Sequence, residues 1–109
     1  MTAFGDRFSE AMRWQDYLGA ANFLHDDVRN DFLDQFQQDD DLRVVDSRIV
    51  SIDLNAEIKV ASADFRLEFY RLPSMRVKKW QWSQEWQLQQ QKGFKSPVWL
   101  IVNPPPPLP

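Results

Sequence analysis

Residues 79–88 read KWQWSQEWQL, and this stretch alternates polar and apolar side chains more regularly than any other part of the sequence. The apolar positions are Trp80, Trp82, Trp86 and Leu88. The polar positions between them are Lys79, Gln81, Ser83, Glu85 and Gln87. Because successive side chains of a β-strand point to opposite faces of a sheet, the pattern predicts a strand with one buried, tryptophan-rich face and one polar face.

Strand patterns continue on both sides of this stretch. The sequence predicts a strand of about a dozen residues over 42–54 and, after a turn at Asn55, a second one over 56–69. Beyond the tryptophan-rich strand, a hairpin is predicted at Lys92 and Gly93, followed by a short strand over 98–102. Four consecutive strands joined by turns predict an antiparallel meander.

The alternation is interrupted in the first two predicted strands. It slips by one residue near residues 46–48 and again at residues 61–64. A slip in the period of two indicates a β-bulge, which bends the strand that contains it. We therefore expect one bulge in each of the two strands and a strongly bent sheet.

The first third of the chain predicts helices over about residues 4–38. Phe4, Phe8 and Met12 recur at a spacing of four residues, which places them on one helical face. Asp16 is a typical N-cap for a second, short helix, and His25 or Asp26 is the predicted cap of a third.

Helices followed by an antiparallel meander define an α+β fold, in which the helices cover the apolar face of one sheet. A length of 109 residues leaves room for one such domain, predicted over residues 1–103. Residues 104–109, PPPPLP, form a proline-rich tail. Such a segment favours an extended left-handed helix, which forms a stiff terminus or docks into an aromatic groove.

Composition excludes several kinds of site. The chain has no Cys and one His, so a disulfide framework, a thiolate metal site, a Cys nucleophile and a multi-histidine metal centre are all ruled out. No glycine-rich phosphate loop and no calcium-loop spacing occur, and we expect neither metal nor cofactor. The net charge of -3 argues against a nucleic-acid partner.

No apolar stretch approaches the length of about 20 residues that spans a bilayer, so no integral membrane segment is expected. The first four residues do not resemble a secretory leader. Localisation is left open: the cell envelope or periplasm if a leader was removed, and otherwise the cytoplasm.

Several stretches together resemble the nuclear transport factor 2-like superfamily, also called SnoaL-like or cystatin-like cone domains, and in particular its small bacterial members of uncharacterised or lipoprotein type. The resemblance covers most of residues 8–102 and rests on FSEAMRWQDYLGAANFL at 8–24, LRVVDSRIV at 42–50, AEIKV at 56–60, FYRLPSM at 69–75, QEW at 84–86 and VWL at 98–100. The sequence departs from the usual pattern at residues 87–97, which make a longer last hairpin. The resemblance implies a cone whose wide end holds a pocket, used for catalysis, for ligand binding or only for packing.

The aromatic side chains predict where such a pocket lies. Tryptophans of the third strand and rings of the helices either fill the cone or line an apolar cavity with a few polar groups. The candidate lining residues are Trp14, Tyr17, Phe32, Phe36, Asp64, Tyr70, Trp80, Trp82, Gln84 and Trp86. No acid and hydrogen-bond donor fall into an enzyme motif, so no catalytic residue is assigned.

Two functions remain open. The sequence favours a non-catalytic binding or assembly module, in the cell envelope or elsewhere, which forms a homodimer or holds a partner through the polar face of its sheet. The alternative is a small protein that binds an apolar molecule, or an isomerase- or cyclase-type enzyme, acting in the aromatic pocket. The enzyme hypothesis requires a carboxylate that faces the pocket, and Asp64 and Asp46 are its candidates.

Overall fold

The structure of the chain is a computed structural model that describes residues 3–90, 93 and 95–109. Three helices come first: α1 is Ala3–Arg13, α2 is Tyr17–Ala21 and α3 is Asp26–Phe36. Four strands follow: β1 is Leu42–Asn55, β2 is Val60–Arg71, β3 is Lys78–Gln89 and β4 is Val98–Ile101. Each strand pairs antiparallel with the next in the order β1-β2-β3-β4, so the predicted α+β meander is confirmed. Of the predicted last hairpin, residues 91, 92 and 94 lie outside the described part.

The helix starts that the sequence marks with polar residues are confirmed. The Asp16 carboxylate caps α2 by accepting a hydrogen bond from the Gly19 N–H at 3.0 Å. A Cβ at position 19 would collide with that carboxylate, so the cap requires glycine there. His25 caps α3, because its Nδ1 accepts from the Asp27 N–H at 3.2 Å. Capping of this kind satisfies backbone donors that a helix start leaves unpaired.

β1 contains both register shifts of its pairing with β2. One shift lies between Val44 and Asp46, next to the predicted slip at residues 46–48. The other lies between Ile49 and Ser51, where no bulge was expected. Each shift adds an unpaired residue to β1, so β1 bends against the straighter β2.

The bulge predicted in β2 at residues 61–64 is wrong, because β2 pairs with β3 without a register shift. The prediction counted Ile58 as part of the strand, whereas Ile58 lies in the preceding turn and is exposed. The buried face of β2 begins instead with Ala61 and Ala63. With Ile58 left out, buried and outward-facing residues of β2 alternate without interruption.

The helices cover one face of the sheet, called here the inner face, and the opposite face is called the outer face. The side chains that are most completely buried between helices and sheet are mainly aromatic. They are Trp82, Trp86, Phe8, Phe32, Phe36, Phe65, Phe69, Met12, Leu24, Leu42, Leu67 and Ile101. A core of so many rings gains dispersion and ring–ring contacts in addition to apolar burial.

The residues after β4 continue along the edge of β3. The Val102 N–H donates to the Glu85 carbonyl at 2.9 Å. The Asn103 side chain then takes the place of a strand backbone: its Nδ2 donates to the Ser83 carbonyl and its Oδ1 accepts from the Glu85 N–H, both at 2.7 Å. The proline-rich tail, residues 104–109, therefore starts from a fixed position and runs along its own domain, with Pro105 buried.

Candidate functional site

The inner face carries a group of six rings in mutual contact, called here the aromatic interior. Its members are Phe8, Phe32, Phe36, Trp80, Trp82 and Trp86. Neighbouring ring centroids lie 4.9 to 6.2 Å apart, within the range of favourable aromatic contacts. Five of these residues are predicted pocket-lining candidates, and the structure brings them together.

Phe8 is the member that the sequence did not single out for the pocket. Its ring contacts Phe32, Trp82 and Trp86, and its side chain has no exposed surface. The signal for this position was the four-residue spacing of Phe4, Phe8 and Met12, which placed Phe8 on the buried face of α1. That spacing predicts burial without indicating which buried ring is central.

Gln84 brings a polar group into the aromatic interior. It lies between Trp82 and Trp86 on the same face of β3 and is only 2 % exposed. Trp86 Nε1 donates to Gln84 Oε1 at 2.9 Å. Because an indole N–H can only donate, this bond fixes the orientation of the amide and leaves Gln84 Nε2 as the donor on its other side.

Two of the buried donors on β3 have no hydrogen-bond partner among the described residues. They are Gln84 Nε2 and Trp82 Nε1, which lie two positions apart on the inner face. A buried donor without a partner costs about 1–3 kcal/mol, so natural proteins seldom retain such groups without a role. The aromatic interior therefore contains two buried N–H donors on neighbouring inner-face positions of β3.

Tyr17 is a third polar group at this face. Its ring centroid lies 5.2 Å from that of Phe36, and its hydroxyl is buried without a hydrogen-bond partner among the described residues. The side-chain amide of Gln15, which precedes it, is directed to the backbone of Leu42 and Val44. Burial raises the pKa of Tyr17 to about 12; the negative charge of Asp39 adds to this rise, and the positive charge of Arg43 opposes it.

The raised pKa of Tyr17 predicts a loss of stability at alkaline pH. An unfolded tyrosine ionises near pH 10, whereas the folded one ionises near pH 12. Its contribution to stability is therefore complete below pH 10 and is lost as the pH rises through 12. We expect wild-type protein to lose more free energy of unfolding between pH 8 and pH 11 than Tyr17→Phe in parallel urea titrations. Equal losses in the two proteins would contradict this assignment.

Trp14 does not join the aromatic interior. It follows the last residue of α1 and is 74 % exposed, and its Nε1 donates to Glu10 Oε1 at 2.7 Å. Gln15, which has a positive φ of 57°, turns the chain at this point and places its own side chain against β1. The turn therefore brings Gln15 to the sheet and leaves Trp14 in solvent.

Asp64 and Tyr70 lie on the outer face, because they alternate with the buried residues of β2. Asp64 Oδ1 accepts from Gln81 Nε2 at 2.9 Å, and its Oδ2 accepts from Arg66 at 3.3 Å. Asp46, the second acid of the enzyme hypothesis, is held at 3.6 Å by Arg13. Neither acid faces the aromatic interior.

The outer face forms a charged groove of about 360 Å³, called here the outer-face groove. Its charged side chains come from three strands and carry both signs: Asp46, Arg48, Arg66, Glu68 and Lys79. The lining also includes Gln81 and atoms of Leu67 and Trp80, whose side chains are buried on the inner face. Arg48 lies 3.7 Å from Asp46, so part of this charge is paired within the face. A surface of this kind suits a polar or charged partner.

Two further features bear on function. Among residues 3–90, 93 and 95–109, no three His, Asp or Glu side chains lie close enough together to hold a metal ion. Within the same residues, no helix has both the length and the apolar character needed to cross a membrane.

Comparison with known proteins identifies a structural relative and no sequence family. No family model and no curated protein matches the chain. A crystal structure from Xanthomonas campestris pv. campestris, of a protein provisionally described as a polyketide cyclase, matches with a TM-score of 0.52 and 15 % identity, covering 94 % of this chain and 88 % of that one. Likeness at this identity shows the fold alone. The three helices on a four-stranded antiparallel sheet thus form an α+β fold compatible with the nuclear transport factor 2-like cone.

Proposed function

We propose that this protein is a non-catalytic binding module that holds a small, largely apolar molecule in its aromatic interior. The observation that carries the proposal is the pair of unpartnered donors, Gln84 Nε2 and Trp82 Nε1, among packed rings. Rings supply dispersion to a flat apolar ligand, and two N–H groups orient an acceptor oxygen on it. The ligand class is therefore a ring compound that carries a carbonyl or a similar acceptor.

The proposal includes no proton transfer, because the polar groups that the described structure buries at the inner face are poor bases. They are Ser9, Ser47, Gln84 and the Tyr17 hydroxyl. Ser9 and Ser47 are paired with each other, since Ser47 Oγ donates to the Ser9 carbonyl at 2.9 Å. The acids that an isomerase or cyclase would use for proton abstraction lie on the outer face in ion pairs.

Entry of a ligand requires one ring to move. Phe4, in the first turn of α1, is only partly buried, and its ring lies 4.6 Å from Trp86 and 5.2 Å from Trp99. Rotation of Phe4 away from these two rings would open the aromatic interior beside Trp86. The first turn of a helix has fewer backbone hydrogen bonds than its middle, which favours movement there.

Native mass spectrometry of protein purified from its own host tests the proposal. We expect wild-type protein to retain a small organic ligand, seen as added mass, and Gln84→Leu to lose it. Leucine has a similar volume to glutamine but lacks the N–H donor. Gln87→Leu, half-buried on the same strand, is the matched control and should retain the mass. One lost hydrogen bond of about 1.4 kcal/mol corresponds to a tenfold weaker ligand. Retention by Gln84→Leu at wild-type occupancy would contradict the proposal.

Self-association through the outer face is the second candidate function. It is favoured by the charges of both signs in the outer-face groove and by the exposed side chains of Val45 and Val50, at the two register shifts of β1. A face with both signs of charge is complementary to a second copy of itself. In the same mass spectra, a ligand-free homodimer would support this candidate and contradict the first.

A further inference from the structure

Among the described residues, three side chains of the domain donate hydrogen bonds to the proline-rich tail or accept them from it. Gln35 of α3 contacts the tail twice: its Nε2 donates to the Pro106 carbonyl at 3.2 Å, and its Oε1 accepts from the Leu108 N–H at 2.9 Å. Trp80 Nε1 donates to the same Pro106 carbonyl at 3.3 Å. Arg71 Nη1 donates to the main-chain oxygen of Pro109 at 2.6 Å. We call the surface formed by Gln35, Arg71 and Trp80 the tail groove.

The hydrogen-bonding groups and the buried side chains of the tail are those that face the groove. Residues 104–109 contain one backbone N–H, that of Leu108, and this N–H is the one that Gln35 accepts. Pro105 is buried and Leu108 is partly buried, whereas Pro104 and Pro107 are exposed. A spacing of three residues between buried positions is the period of a polyproline II helix. The tail therefore presents one side of such a helix to the groove.

All the polar contacts of the tail groove go to backbone atoms of the tail. Recognition thus depends on three features of an extended helix. They are a carbonyl at the position of Pro106, an N–H at the position of Leu108 and an apolar side chain at that second position. Grooves that bind proline-rich segments likewise combine aromatic rings with hydrogen-bond donors. Binding there has a low entropic cost, because the segment is already extended before it binds. A segment of the pattern proline, two residues, then leucine carries the backbone groups and the apolar side chains that the contacts with residues 105–108 use.

We propose that the tail groove is a binding site for a proline-rich segment of a partner protein, and that the chain's own tail occupies it as an intramolecular competitor. The site lies at the α3–β3 seam and does not depend on a ligand in the aromatic interior. The tail groove accepts a segment with proline at the position of Pro105 and leucine at the position of Leu108, where the leucine N–H donates to Gln35. Because the tail follows directly on Asn103, which is fixed on β3, it competes at an effective concentration on the order of 1 mM, so it weakens partner binding without abolishing it.

A labelled peptide of residues 102–109, VNPPPPLP, tests the proposal by fluorescence anisotropy against the full-length chain. A full-length double variant, Pro105→Asp with Leu108→Asp, places charges at the two groove-facing positions of the tail and releases it. We expect this variant to bind the peptide at least about tenfold more tightly than wild-type protein does, because the competitor at its effective concentration is removed. Thermal unfolding verifies that the double variant is folded.

Paired substitutions in the protein and in the peptide test whether the peptide binds in the tail groove. In the double variant, adding Gln35→Ala should lower peptide affinity at least about tenfold through the loss of two hydrogen bonds, whereas Gln38→Ala on the same segment should not. A peptide with Leu108→Pro lacks the N–H and should bind weakly, whereas the Leu108→Ala peptide keeps that contact. Equal peptide affinity for the wild-type chain and the double variant, or no effect of Gln35→Ala, overturns the proposal. A concentration-dependent wild-type dimer that the double variant abolishes would assign the groove to a second copy's tail instead.

Discussion

Phe8→Ala is expected to lower the midpoint of thermal unfolding by about 15 °C or more. The ring of Phe8 is fully buried and contacts rings on α3, β2 and β3, so alanine leaves a cavity at the centre of the core. Such a change costs about 3–5 kcal/mol, and each kcal/mol corresponds to about 4–8 °C in a domain of this size. Circular dichroism during heating measures the shift.

Trp14→Ala is the matched control for Phe8→Ala. It removes a larger side chain from a position that is mostly in solvent, and only its bond to Glu10 is lost. We expect a change of about 0.5 kcal/mol or less, as for surface substitutions in general. If the two variants unfolded at similar temperatures, Phe8 would not be the centre of the core.

Gln84→Glu is expected to lower the free energy of unfolding at pH 7.5 by about 3 kcal/mol or more. The carboxylate would be buried with a single donor, Trp86 Nε1, and an uncompensated buried charge has a cost of this size. Burial raises the pKa of the introduced carboxyl above its unfolded value of about 4.3. The variant should therefore approach wild-type stability near pH 4 and lose it as the pH rises through the folded pKa.

Urea unfolding at the two pH values provides the measurement, with Gln87→Glu as the matched control. Gln87 is half-buried on the same strand, and its side-chain oxygen already accepts from Gln89 Nε2 at 3.2 Å, which a carboxylate can also do. The control should lose little stability at either pH. A loss for Gln84→Glu no larger than for Gln87→Glu would show that the inner face is accessible to water.

Local patterns explain the parts of the fold that were predicted correctly. The alternation at residues 79–88 defines the two faces of β3, because the period of a strand is two and a slip would expose three tryptophans. Asp16 and His25 were identifiable as caps because each precedes a segment with helical spacing. These features depend on neighbours in sequence, which the sequence displays directly.

The remaining features depend on contacts between distant segments. Asp64 was a pocket candidate within the segment where a bulge in β2 was predicted, but the register shifts lie in β1, and Asp64 is on the outer face. Whether Gln84 has a partner depends on ring orientations that no local pattern specifies. Gln35 was missed because its partners, residues 106 and 108, lie more than 70 positions away along the chain.

The segment after β4 also limits whether a strand from another molecule can pair with the edge of the sheet. β4 has four residues and β3 has twelve, and beyond β4 the Val102 backbone and the Asn103 side chain bond to the β3 edge at Glu85 and Ser83. There they occupy backbone groups that would otherwise be free to pair with a strand from another molecule. Residues 104–109 follow directly and have one backbone N–H, that of Leu108, which already donates to Gln35, so the tail cannot itself template a fifth strand. At the opposite margin, the two register shifts of β1 make that edge irregular. Both margins of the sheet therefore carry features that oppose the edge-to-edge stacking that leads to aggregation.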